Sequence, residues 1–227
     1  MAQDAKDVLG TRGLGGAQRV GAVELDNDLR PGLFTEVRIV LSNADGRTGL
    51  ALAVVAGNGI LGALKSLGSS ADLAQHESLV SNLTNLEIAG TRVSRLNLHV
   101  DTNRALNLID SLVAETEFKN ANFISSDGGN IVIRTSKFGG AIKVVPQPLD
   151  STGLGLQSIS LLTASDAEDA ESRIVTAINT ASRRVEGLEA LQRSLNTGDF
   201  TNSRLDGLVS SISGSGLPLG TLVNVVG

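Results

Sequence analysis

Without a single cysteine, the chain can form no disulfide, no thiolate metal site and no thiol nucleophile. It also lacks tryptophan and tyrosine, so its five phenylalanines are its entire aromatic content. A core must then be built from Leu, Ile, Val and Ala, which suit close helix packing and leave little to line an aromatic ligand pocket. The two imidazoles, His76 and His99, stand too far apart for a metal-binding word such as H-x-x-x-H, and no metal site is expected. Serines are plentiful, yet no G-x-S-x-G elbow occurs, and their expected roles are solvation and capping.

Clustered positive charge is missing too. The net charge is −5 and basic pairs such as Arg183-Arg184 are isolated, which argues against a nucleic-acid footprint. The longest uninterrupted apolar run, Leu50 to Ala56, falls well short of the roughly 20 residues of a bilayer span, so no membrane span is expected. Charged residues occupy Met1 to Asp7, where a secretory signal carries its apolar region, so export would proceed without a recognisable cleavable signal.

What is present is an alanine-rich run from Ala167 to Leu195, with Ile174, Ile178, Ala181, Val185, Leu188, Gln192 and Leu195 at alternating steps of four and three. That repeat keeps one narrow seam of a long helix facing a partner helix, the geometry of rods that pack side by side. Ser165 or Asp166 is the expected cap and Thr197-Gly198 the stop. Asp166, Glu168, Asp169 and Glu171 in the first turns offset the helix dipole; a calcium loop would need oxygen ligands at alternate positions and a glycine turn.

Residues 1 to about 32 read as a glycine-rich, charged lead-in, and Leu33 to Leu41 as a strand or the first turns of a helix. Gly49 to Leu67 is apolar with small residues. From Asp72 to about Val113 the spacing predicts a second long helix, bent or split near Leu98 to Thr102 with Asp101 as a cap. Its Leu79, Leu83, Leu86 and Val93 are expected to pack against Ile174, Ile178, Val185, Leu188 and Leu195. Between Asn120 and Gln147 the signals are those of a hairpin: Asp127-Gly128-Gly129-Asn130 before Ile131 to Thr135, then Gly139-Gly140 before Ala141 to Val145. Asn120 and Asn122 read as turn residues, and the tail frays after Ser213. The expected fold class is mainly α: long antiparallel helices forming a rod-like bundle with a small antiparallel β-hairpin subdomain. The domain reading is a lead-in at 1–40, a helical rod at 41–197 with its hairpin at about 120–147, and a tail at 198–227.

The order of helix, hairpin and helix, with specific words along it, resembles bacterial flagellin of the short alphaproteobacterial type, as a rod domain divergent or truncated at both termini. Glu117 to Ile124 resembles the phrase in which an "FNG" turn closes the N-terminal rod helix, although Lys119 separates Phe118 from Asn120 and Ala121 replaces the glycine. Leu154-Gly155-Leu156 resembles the "LGL" word before the C-terminal rod helix, Ala164 to Leu195 resembles that helix, and Asp199-Phe200-Thr201 matches the "DFT" after it. The resemblance implies a structural subunit of a bacterial flagellar filament, acting in motility by self-assembly through helix packing. It further implies a secreted, extracellular homopolymer with flagellar export or cap components as partners, and no catalytic residue or cofactor.

One motif points elsewhere. Leu50 to Ala56 followed by Gly57-Asn58-Gly59-Ile60-Leu61-Gly62 spells G-x-G-x-x-G after a strand-like run, the fingerprint of an NAD(P)-dependent α/β oxidoreductase. Gly57 would make the turn, Gly59 admit the pyrophosphate, Gly62 allow helix packing, and Asp72 or Glu77 hold the ribose. The second buried strand that this requires is missing from Gly68 to His76. Small residues that let two helices approach closely explain the same word.

Overall fold

The computed structural model describes residues 23–24, 38–81, 83–88, 91–136, 140–198 and 209–213. The first long helix, α1 (Asn43–Ala74), begins where Ser42 in extended backbone accepts from the Asp45 amide at 3.1 Å and donates its hydroxyl to the Asp45 carboxylate at 2.8 Å. Its buried positions Gly46, Gly49, Ala53, Gly57, Ile60, Leu64, Leu67, Ala71 and Ala74 advance by steps of three and four, so one stripe faces the core throughout. α2 (Arg95–Glu115) is capped by Ser94, and α3 (Ala164–Thr197) by Thr163, whose hydroxyl accepts from the Asp166 amide at 3.0 Å. The cap of α3 thus lies two residues ahead of the expected Ser165. Gly198, at φ 75°, ends α3 and donates to the Ser194 carbonyl at 2.7 Å, the left-handed stop that Thr197-Gly198 predicts.

α3 runs antiparallel to α1. Arg47 reaches Asn196 at one end (3.3 Å), and Gln75 reaches Glu171 at the other (2.7 Å). α2 is antiparallel to α1 as well: the buried Arg95 donates to the Ala74 carbonyl at 2.7 Å, and Gly59 lies beside Leu112.

A five-stranded sheet caps one end of this array. Its order is β1 (Val23–Glu24), β2 (Arg38–Leu41), β5 (Asn130–Arg134), β6 (Ala141–Val144) and β7 (Val209–Ser213), antiparallel except where β2 and β5 run parallel. Leu41, Ile131, Ile133, Ile142 and Val144 are buried, and Ile133 sits against Gly46 while Phe123 sits against Gly49. The hairpin signals between Asn120 and Gln147 correspond to β5 and β6, and Leu33 to Leu41 yields a strand at Arg38–Leu41.

The expected helix from Asp72 to Val113 is interrupted. α1 ends at Ala74, and Leu86–Ile88 (β3) pairs antiparallel with Thr91–Val93 (β4) before Ser94 starts α2. Helix-like spacing at Leu79, Leu83, Leu86 and Val93 conceals two short antiparallel strands that place Leu86 opposite Val93. Asp101 caps nothing; it lies inside α2 and pairs with Arg104 on the surface. Among the described residues α1 is the helix long and apolar enough to cross a membrane, with a mean hydropathy of 1.6 over its most apolar 18 residues. Counting uninterrupted runs overlooks this, because Gly, Asn and Ser punctuate the helix. Apart from β1 and β7, the lead-in at 1 to about 32 and the tail after Gly198 lie outside the described residues.

Candidate assembly site

The α1–α3 seam is built on small residues. A methyl at Gly57 would stand 2.6 Å from Val185 Cγ2 and 3.2 Å from Leu149 Cδ1, and one at Gly68 would meet Ile174 Cγ2 at 3.7 Å. Ile174, Val185, Leu188 and Leu195 are buried there and Ile178 is half-buried, with buried Ala167, Ala170, Ala177 and Ala181 on the same helix. Alanine at alternate steps lets the axes approach until the larger side chains interdigitate.

The strap from Pro148 to Gln157 fixes α3 from outside. Arg184 donates to the Pro148 and Gly153 carbonyls, and Arg173 donates to those of Gly155 (2.6 Å) and Gln157 (2.8 Å). Burial lowers the Arg184 pKa, and the Asp150 charge opposes that shift. Asp150 accepts from the amides of Ser126 and Gly153, while Asp110 takes both the amide (2.7 Å) and hydroxyl (2.8 Å) of Ser151. In the Leu154-Gly155-Leu156 word both leucines are buried, and the glycine holds φ 70°, a left-handed backbone that glycine adopts without strain.

A two-residue turn closes the other side. Phe118 and Ala121 exchange both backbone hydrogen bonds (2.9 and 3.0 Å) around Lys119 and Asn120 at φ 52° and 64°. Lys119 Nζ then reaches the Asp45 carboxylate at 2.8 Å and, together with the Ser42 hydroxyl, lowers the Asp45 pKa below its usual value.

The sequence-selected positions divide. Leu79 is buried in the loop after α1, Leu83 is 67% exposed, and Leu86 and Val93 face each other across β3 and β4, so none stands on the helix that partners α3. That helix is α1, whose seam sequence reasoning missed although its three-and-four spacing was there to be read. Gly57, Gly59 and Gly62 lie mid-helix, where no turn exists to cradle a pyrophosphate, and Gly57 instead lets α3 approach α1 closely at Val185. Asn122, expected as a turn residue, donates to the Val113 carbonyl and accepts from the Ile124 amide, tying the end of α2 to the next loop. His99 accepts from the Leu161 amide at 3.4 Å, and His76 from that of Ser78 at 3.2 Å. A shallow recess of about 480 Å³ on α3, lined by Thr176, Asn179, Ser182 and Arg183, presents no carboxylate or imidazole among its described lining residues.

No protein-family model matches the chain, and no curated protein matches it. Among solved structures its fold is similar to that in the crystal structure of Bacillus cereus flagellin, with a TM-score of 0.56 and 17% sequence identity. The likeness covers 73% of this chain and 91% of that one. It shows a flagellin-like fold, a helical rod with a small β subdomain.

Proposed function

We propose that the chain is a flagellin-like structural subunit that acts by self-assembly into an extracellular filament serving motility, with no catalytic step. The observation that carries this reading is the antiparallel α1–α3 rod, together with a likeness spanning 91% of the flagellin neighbour. The order of the words at Glu117 to Ile124, Leu154 to Leu156 and Ala164 to Leu195 favours the short alphaproteobacterial type. On this reading Ile174, Ile178, Val185, Leu188 and Leu195 set the rod's geometry, residues 41–197 form the rod domain, and flagellar export or cap components are its partners.

Negative-stain microscopy of the full chain across a concentration series tests the proposal. Ordered filaments or tubes, lost when Ile174→Asp breaks the seam, are the expected outcome. Protein that stays unassembled at every concentration, alone and when added to pre-formed flagellar fragments as seeds, refutes it.

A further inference from the structure

The two long helices treat their outer faces differently. α3 carries Glu168, Asp169, Arg183 and Glu186 outward, as a solvated helix does, whereas α1 has no charged residue from Thr48 to Leu64. On that uncharged stretch Val55 is 72% exposed and Leu52 43%, and Leu108, on the flank of α2 beside it, is 55% exposed. Exposed Gly59 and Gly62 form a notch at the middle of α1, where a methyl at Gly59 would meet only Leu112 Cδ1, at 4.0 Å, and one at Gly62 nothing within 4 Å. Farther along, the Ser66 and Ser69 hydroxyls bond back to the Gly62 and Lys65 carbonyls, each at 3.3 Å, so covering them strands no polar group.

We propose that this face docks a second copy of the chain, α1 against α1, antiparallel about a two-fold axis through the Gly59–Gly62 notch. The spacing is self-complementary. With the axis there, Val55 of one copy lies over Ser66 of the second and Leu52 over Ser69, so each bulky residue meets a small one while glycine meets glycine at the crossing. From Thr48 to Leu73, with exposed Lys65 and Asp72 at its edge, the strip runs about 38 Å, and with α2 alongside, where the Asp101–Arg104 pair lies one turn from Leu108, it is roughly 20 Å wide, giving about 750 Å² per copy. That is close to the roughly 800 Å² per partner of a stable complex. Such a contact closes on itself, so it is distinct from the head-to-tail contact a filament needs, and filament formation and pairing can fail independently.

Sedimentation velocity of the full chain from about 1 to 100 μM reads the pairing directly. A concentration-dependent dimer is expected, weakened roughly tenfold or more by Val55→Asp with the circular dichroism and melting of the monomer retained. Because the chain has no cysteine, mixing a Val55→Cys copy with a Ser66→Cys copy reports orientation. Mixed Val55→Cys/Ser66→Cys disulfides confirm the antiparallel axis. Disulfides joining two identical variants indicate a parallel contact and overturn it. A monomer at every concentration, or pelleting with phosphatidylcholine vesicles that Val55→Asp abolishes in place of dimerisation, overturns the second copy as occupant.

Discussion

Replacing Gly57 by alanine sets two effects against each other on one helix. Alanine in a helix interior is worth about 1 kcal/mol over glycine. At Gly62 nothing stands within 4 Å of the new methyl, so Gly62→Ala should deliver most of that gain. At Gly57 the methyl would lie 2.6 Å from Val185 Cγ2, and Val185 is β-branched, buried and held between α1 and the strap, so it has little room to turn away. Overpacking of this kind costs about 1–3 kcal/mol, leaving Gly57→Ala neutral to about 2 kcal/mol destabilised, roughly 1–3 kcal/mol below Gly62→Ala. For a chain of this size each kcal/mol moves Tm by about 2–4 °C. Val185→Ala alone should cost roughly 2 kcal/mol through its lost methyls and the space they leave. The double variant should be less destabilised than the two singles together by about 1–2 kcal/mol, because the new methyl fills that space. Far-ultraviolet circular dichroism in urea, on protein dilute enough to be monomeric, is the assay, since the chain has no Trp or Tyr to report by fluorescence. Equal stabilities of Gly57→Ala and Gly62→Ala would refute the seam as described.

Other substitutions separate the observed core from the expected one. Leu64→Ala, on the α1 seam, should cost about 2–5 kcal/mol, whereas Leu83→Ala, at 67% exposure, should stay within about 0.5 kcal/mol; a large loss at Leu83 would restore the helix expected there. The Thr102 hydroxyl is buried and has no hydrogen-bond partner among the described residues, so the isosteric Thr102→Val should raise stability by about 1 kcal/mol, and an unchanged or lower urea midpoint would count against that environment. Asp45, whose pKa is lowered first by the Lys119 hydrogen bond, contributes stability that is complete above its ordinary value of 3.8 and is lost as pH falls through the lower folded value. Asp45→Asn should therefore cost no more than about 1 kcal/mol near neutrality and flatten the loss below about pH 4. Identical acid limbs in both proteins would remove the Lys119–Asp45 pair from the stability account.

The parts of the fold legible in sequence are those written in bulky residues. Ile174, Val185, Leu188 and Leu195 announce the α3 seam because each is apolar by any measure, and Ile131, Ile133, Ile142 and Val144 announce two strands by alternation. α1 carries an equally regular seam, but apart from Leu50 it is spelled Gly46, Gly49, Ala53 and Gly57 in its first half. Local rules assign glycine to turns and score alanine as nearly neutral, so Gly49 to Leu67 reads only as an apolar stretch with small residues, and Gly57 equally as a nucleotide turn or as a place where two helices come close. The partners decide between those readings and supply the neighbours, since Ile133, Phe123 and Val185 occupy the space that side chains at Gly46, Gly49 and Gly57 would need. The opposite holds at Leu79 to Val93, where bulky residues at helical spacing belong to a loop and two short strands. Spacing records direction only where the backbone is already helical.

A core without tryptophan or tyrosine has few large anchors, so the rod is specified by size more than by hydrophobic content. Gly57 admits Val185 and Gly49 admits Phe123, and in each case the glycine is a hole that fixes which turn of α1 meets which neighbour. Sliding α3 by one heptad would keep apolar residues facing apolar residues, yet it would move Val185 off Gly57 and onto a position that already has a side chain. The register of the rod is therefore set by clashes at the wrong positions as much as by contacts at the right one. Alanine at Gly57 attacks register and packing together, which is why one methyl group there should cost more than its volume alone suggests.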